Sequence, residues 1–128
     1  MKSLIDTHTL IWAVDDPKQL GLNAVGILTD SSVGLLVSAG TLWELAIKVG
    51  LGKLTLAMEL EVWLKRALQD LQLEVLPISV DHVCQYRSLP QHHKDPFDRL
   101  LIAQSLQENI PIVGADIVFD HYGVQRIW

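Results

Sequence analysis

The chain has 128 residues, 49% of them hydrophobic, and a formal charge of −5, which suits one domain with one well-filled core and leaves no room for a second. Its lone Cys84 excludes an internal disulfide framework and a cysteine-built zinc site, and fits a reducing cytoplasm. Asp6 interrupts the first apolar stretch and no later run approaches the roughly 20 apolar residues of a membrane span, so a soluble protein is expected.

Ser3-Leu4-Ile5 reads as a short buried strand. Thr7 to Val14 follows as a helix with Leu10, Ile11 and Val14 on one side, stopped by Asp15-Asp16-Pro17. A second helical stretch at Leu22 to Leu28 leads to the strand Gly34-Leu35-Leu36-Val37 and to Ser38, a helix N-cap. The helix after Ser38 is expected to reach Val49, with Gly50 as the left-handed residue past its end. Leu56 to Leu71 is amphipathic and long enough for about four turns. Leu73 to Ile78 is a third strand, Ser79 caps a short helix through Tyr86 that buries Cys84, and Leu89 to Lys94 is a polar loop. Asp95 opens a helix that runs to Glu108 and ends at Asn109 and Pro111; Ile110 to Val113 and Val124 to Ile127 are the last two strands.

Strands separated by helices of crossover length imply a mainly parallel, five-stranded sheet covered on both faces, a three-layer α/β/α domain over residues 1–128. In such sheets the ligand crevice lies beyond the carboxyl ends of the strands. Asp6 follows the first strand, Glu44 lies in the helix after the second, and Asp116 comes shortly after the fourth. The run Asp95-Pro96-Phe97-Asp98 adds two carboxylates at the mouth of an apolar helix. Carboxylates gathered on one rim imply a divalent metal ion. Setting these five aside leaves 10 other acids against 10 Lys and Arg, so the remaining surface is neutral and can carry a basic rim from Lys48, Lys53, Lys94 and Arg99.

Each acid also has a plain structural role. Asp6 suits the N-cap of the first helix, Asp95 suits the cap before Pro96 at N1, and Asp98 lies in the first turn, where the helix dipole favours it regardless of metal. Glu44 can pair with Lys48 four residues on, and Asp116 can serve a turn. What favours metal is their company at one predicted edge. His92-His93-Lys94 reads as a solvated loop, with substrate-phosphate contact the lesser reading, and Trp12, Trp43 and Trp63 as core or subunit-contact packing residues and not base stackers. Arg99 either pairs with Asp95 or reaches substrate phosphate.

At these residues the chain resembles the PIN-domain nucleases and, within them, the VapC-type toxins of toxin-antitoxin pairs. The carriers are Leu4-Ile5-Asp6-Thr7-His8, Val37-Ser38-Ala39 leading into Leu42-Trp43-Glu44-Leu45-Ala46-Ile47-Lys48, Gly52-Lys53-Leu54, and Asp95-Pro96-Phe97-Asp98-Arg99-Leu100-Leu101-Ile102-Ala103-Gln104. Asp116, Phe119, Tyr122-Gly123-Val124 and Ile127-Trp128 close it. The resemblance spans nearly the whole chain and rests on the order and spacing of these pieces. It implies an acidic pocket holding Mg²⁺ or Mn²⁺, with Asp6, Glu44, Asp98 and Asp116 as the catalytic quartet and Asp95 as an additional acid. Thr7, Ser38, Lys48 and Arg99 are the candidate substrate contacts. One departure is Gly114, where many relatives carry Thr or Ser two residues before the last acid.

The resemblance further implies a cytoplasmic RNA-cleaving homodimer with a VapB-like antitoxin as partner, the antitoxin's C-terminal segment lying across the active site. The alternative from another class is a non-catalytic PIN-fold binding module, its acids serving caps and ion pairs. A phosphotransfer enzyme on a similar sheet is a weaker fit: haloacid-dehalogenase-like enzymes want an Asp where His8 stands, and receiver domains want an acidic pair near strand one that is absent.

Overall fold

Short apolar runs become strands and the stretches between them become helices in the computed structural model, which describes all 128 residues. In chain order these are β1 (Lys2–Ile5), α1 (Thr7–Asp15), α2 (Leu22–Thr29), β2 (Gly34–Ser38), α3 (Ala39–Gly50), α4 (Leu60–Asp70), β3 (Glu74–Leu76), α5 (Val80–Arg87), α6 (Pro96–Glu108), β4 (Ile112–Val113) and β5 (Arg126–Ile127). Short 3-10 helices occupy Pro17–Gln19 and Ile117–Tyr122. The five strands form one sheet in the order β3-β2-β1-β4-β5, every neighbouring pair parallel. No helix is long and apolar enough to cross a membrane.

Successive strand side chains point to opposite faces, and the register makes that alternation continuous across the sheet. Leu4, Leu36 and Ile112 stand in one row and face a core completed by Leu101, Ile102 and Phe119. Ile5, Val37 and Val113 stand in the next row and face the opposite core, with Leu10, Leu45 and Trp63. All of these except Leu36 are at most 1% exposed. Two cores back to back on one sheet give the three-layer α/β/α architecture expected from the alternation of elements.

The chain lays β2 and then β3 on one side of β1, then returns to place β4 and β5 on the other. The strand order therefore reverses between β1 and β4, and the crevice of an open parallel sheet forms at such a reversal, outside the carboxyl ends of the strands. Asp6 leaves β1 there, and its backbone N–H donates to the Val113 carbonyl at the end of β4 (3.1 Å).

Several boundaries differ from the sequence reading for identifiable reasons. The amphipathic stretch expected to be helical from Leu56 starts at Leu60. Before it, Leu54, Leu56 and Met58 alternate with exposed neighbours and pack on the second core, which is the period of an extended chain. Gly50 remains inside α3, and Gly52 is the left-handed residue (φ 70°). Its N–H reaches the Val49 carbonyl while Lys53 N–H reaches that of Lys48, a closing turn of the Schellman kind. The same turn closes α4 with Gln72 in the left-handed position (φ 51°). Cys84 is exposed and not in the core, because α5 turns His82, Tyr86 and the following Leu89 inward. β3, β4 and β5 are each shorter than the apolar runs containing them.

Asp15, at the end of α1, fastens the extended segment and α4 to α1. Its carboxylate accepts the indole N–H of fully buried Trp63 (2.9 Å) and the backbone N–H of Ala57 (3.1 Å). Asp15→Ala leaves both donors without that partner, and urea denaturation is expected to show a loss of about 1–3 kcal/mol.

Candidate functional site

Three acids arrive at the strand-order reversal as helix caps. Asp6 accepts the Thr9 N–H through Oδ1 (2.8 Å) at the start of α1. Asp95 accepts the N–H groups of Phe97 and Asp98 through Oδ1 (2.9 and 3.0 Å) at the start of α6. Asp116 accepts the Val118 N–H through Oδ1 (3.0 Å) at the start of the last 3-10 helix. The capping roles read from sequence for Asp6 and Asp95 are thus present, and they bring the acids together: in each case Oδ2 is left outside the cap bond.

Asp98, in the first turn of α6, completes the group. Burial and then the neighbouring Asp95 push its carboxyl up to about 6, with Asp6 adding to the effect. Asp6 is 4% exposed, and burial is also the main cause that raises its carboxyl above the ordinary value, with the charge of Asp116 contributing. Asp6, Asp95, Asp98 and Asp116 therefore share one electrostatic neighbourhood.

Glu44 is attached to this group from α3. Its Oε1 accepts the Thr7 hydroxyl (2.6 Å), from the residue next to Asp6, and its Oε2 takes the Lys48 ammonium (2.6 Å). The i,i+4 pair read from sequence is thus formed, on a carboxylate only 4% exposed. The hydrogen bond that Lys48 donates to Glu44 raises its ammonium, and the charges of Asp95 and Asp98 add to the rise.

Two other expected substrate contacts are turned inward. Ser38 is fully buried and its hydroxyl accepts the Gly40 N–H as the cap of α3 (3.0 Å). Arg99 neither pairs with Asp95 nor joins a basic rim. It is 5% exposed and donates to the carbonyls of Pro90 (3.0 Å), His93 (3.4 Å) and Tyr86 (3.5 Å), with its guanidinium 4.9 Å from the Tyr86 ring centre. Buried guanidinium needs several acceptors at once, and the loop before α6 supplies them.

His93 and Gly114 are the residues that sequence reasoning missed. His93 is half-buried, with Nε2 2.8 Å from Asp98 Oδ2 and 4.0 Å from Asp116 Oδ2, so it does not belong to a solvated loop. The available signal was its place two residues before a helix cap that opens onto the rim. At Gly114 an added Cβ would lie 2.6 Å from Asp6 Oδ2 and 3.1 Å from the Phe119 ring. The missing side chain, noted in the sequence only as a departure, is what lets the Asp6 carboxylate lie against the end of β4.

The donor set fits a hard divalent cation. It consists of carboxylate oxygens, two of them raised by burial and mutual repulsion, and the nearby cations Lys48 and Arg99 are engaged elsewhere. Ions such as Mg²⁺ and Mn²⁺ favour all-oxygen sets of this kind.

A family model described as PIN domain matches residues 3–125. Among solved structures, the chain is similar to a crystal structure of VapBC2 from Rickettsia felis bound to a DNA fragment from the promoter of that pair. The TM-score is 0.75 at 19% identity, with 98% of this chain and 97% of that chain covered. It is also similar to FitAcB from Neisseria gonorrhoeae, with a TM-score of 0.65 at 21% identity over 97% of this chain and 95% of the other. The FitAB structure bound to an IR36 DNA fragment gives a TM-score of 0.62 at 19% identity, covering 97% and 92%. No curated protein matches the chain in sequence.

The raised carboxyl of Asp98 has a signed consequence for stability. Below its ordinary value of 3.8 the group is protonated whether the chain is folded or not. As pH climbs from there to about 6 the folded state binds the extra proton, so stability falls through that window and the cost persists above it. Asp98→Asn is therefore expected to raise the melting temperature relative to wild type at about pH 7.5 and to leave it unchanged at about pH 3.5. Equal shifts at both pH values would contradict this assignment.

Proposed function

The chain belongs to the PIN-domain family, and from that membership and the converging carboxylates we propose that it is a metal-dependent ribonuclease, the toxin of a toxin-antitoxin pair. The single observation that carries the nuclease reading is the convergence of Asp98 and Asp116, whose carboxylate oxygens lie within 4.8 Å of each other, beside Asp6, which feels the charge of Asp116 and adds its own to Asp98. Asp6, Asp98 and Asp116 are the proposed ion-holding residues, with Asp95 beside them and Glu44 joined through Thr7 and Lys48. RNA is proposed as the substrate from the resemblance to VapC-type toxins, and the whole chain is proposed to act as one PIN unit in the cytoplasm.

When bound, Mg²⁺ or Mn²⁺ would lower the pKa of a water and offset charge developing on phosphate oxygens. The chain's own contribution is positioning. Cap bonds fix Asp6, Asp95 and Asp116 against rotation, so their alignment is set before substrate arrives. Lys48, 40% exposed on its side chain and bound to Glu44, is assigned to the RNA backbone. The reaction is in-line attack of water oxygen on phosphorus. The bond to the 3′ oxygen breaks, that oxygen leaves protonated, and a 5′-phosphate remains.

The proposed antitoxin has an apolar surface to lie on. Trp43 and Leu51 on and after α3 are 62% and 64% exposed, and a groove beside them is lined by Ala46, Val49, Leu54 and Leu60. Trp43 stands edge-on to Phe97, the residue before Asp98 (centroids 5.6 Å apart), so this surface runs up to the acids. A second copy of the chain is the proposed cover for Val75, Ile78, Val80 and Val83, exposed around edge strand β3 and the start of α5.

Purified protein freed of any partner, incubated with a mixed structured RNA, is expected to cleave it in Mn²⁺ and not in EDTA. Asp6→Asn and Asp98→Asn together should reduce cleavage by more than the roughly 10–100-fold cost of disturbing an outer-shell group. Full activity of that double variant would remove the acids from the chemistry, and cleavage of single-stranded DNA alone would move the substrate away from RNA. Gly114→Ala, which crowds Asp6 Oδ2, is expected to lower RNA cleavage about 10–100-fold with the circular dichroism spectrum unchanged. Wild-type rates in Gly114→Ala would show that the close seating of Asp6 is not needed.

A further inference from the structure

His93 Nε2 and carboxylate oxygens of Asp98 and Asp116 all lie within 4.8 Å of one another, an arrangement that resembles a mixed nitrogen and oxygen ligand set. The other ring nitrogen argues against that use. His93 Nδ1 lies 3.2 Å from the backbone nitrogen of Asp95, in line with its N–H. A backbone amide only donates, so Nδ1 must offer its lone pair and the ring proton resides on Nε2. Nitrogen in that form has no lone pair for a cation. It is a donor, and Asp98 Oδ2 is its acceptor at 2.8 Å.

The ring is held from behind by bonds that do not involve its own atoms. Tyr122 Oη accepts the backbone N–H groups of His92 (3.0 Å) and His93 (2.8 Å). Arg99 Nη1 donates to the carbonyls of Pro90 and His93 and lies 3.4 Å from Tyr122 Oη. Arg99, expected at the substrate rim, and Tyr122 together clamp the segment between α5 and α6. That clamp delivers one imidazole N–H to one carboxylate.

Resting on the metal-dependent reading above, we infer that His93 is a positioning residue that orients the Asp98 carboxylate for a divalent cation and is not itself a ligand. Groups that hold a ligand's orientation typically govern metal affinity by about 10–100-fold. The assignment leaves the site with oxygen donors only, a set that suits Mg²⁺ and Mn²⁺.

Isothermal titration of Mn²⁺ into wild type, His93→Ala and His93→Gln tests this, with visible absorption of the Co²⁺ forms as a second readout. His93→Ala is expected to bind Mn²⁺ about 10–100-fold more weakly while keeping a wild-type circular dichroism spectrum, since the clamp from Tyr122 and Arg99 uses only the backbone of residues 92 and 93. His93→Gln is expected to recover most of the affinity, because its amide supplies an N–H at a similar reach, and the Co²⁺ spectrum should be the same in all three. Equal Mn²⁺ affinity in His93→Ala would overturn the inference while leaving the nuclease reading intact. Failure of His93→Gln to recover affinity would overturn the donor role, and a changed Co²⁺ spectrum in His93→Ala would make His93 a ligand. Wild type that binds no Mn²⁺ would overturn the metal reading and this inference with it.

Discussion

The rim depends on a carboxylate that gives one oxygen to the first amides of a helix and keeps the other outside that bond. Asp6 and Asp116 both use Oδ1 in this way, and the Oδ2 atoms lie near Gly114 and His93 respectively. Asp95 caps α6 by the same rule and brings Asp98 with it. Gathered carboxylates repel, and burial penalises each one further. Helix N-termini offset part of that cost, since their exposed N–H groups carry partial positive charge. Two α-helices and a 3-10 helix open onto one place, and the sheet decides where that place is.

The sheet makes this possible through its order. With β1 and β4 adjacent and parallel, the residues leaving their carboxyl ends emerge side by side, and the connections depart on opposite sides of the sheet. α1, packed on the core that contains Ile5 and Val37, begins at Asp6. α6, packed on the core that contains Leu4 and Leu36, begins at Asp95. The acids thus come from both layers and meet over the gap between strands. Thr9 strengthens the junction, its hydroxyl donating to the Val113 carbonyl (2.9 Å). Stability and site geometry share these bonds, so a change to a cap residue acts on both.

Much of the fold was legible because periodicity carries it. Strand runs of β-branched and leucine residues, the caps Ser38, Ser79 and Asp95, and the helix end at Asn109 all follow from local rules, and the structure has them where they were read. The segment before α4 misled because alternate apolar residues and a following helical stripe overlap over a few positions. Cys84 misled because a cysteine on an amphipathic helix suggests burial, whereas the inward face of α5 is taken by His82 and Tyr86. At the site, the acids were legible as types at strand edges, each with a structural role beside the metal reading. In the structure each cap bond at Asp6, Asp95 and Asp116 uses a single oxygen. His93, Tyr122 and the inward turn of Arg99 were not legible, because their roles arise from contacts between a loop and distant elements that no local pattern encodes.

The most direct test of the central claim is the anomalous difference map of a crystal grown with Mn²⁺ and measured at the manganese edge. The account predicts a peak among Asp6 Oδ2, Asp116 Oδ2 and the Asp98 carboxylate, with the cap bonds to Thr9 and Val118 still in place and His93 outside the ligand set. A peak elsewhere, or cap bonds released to bind the ion, would contradict it.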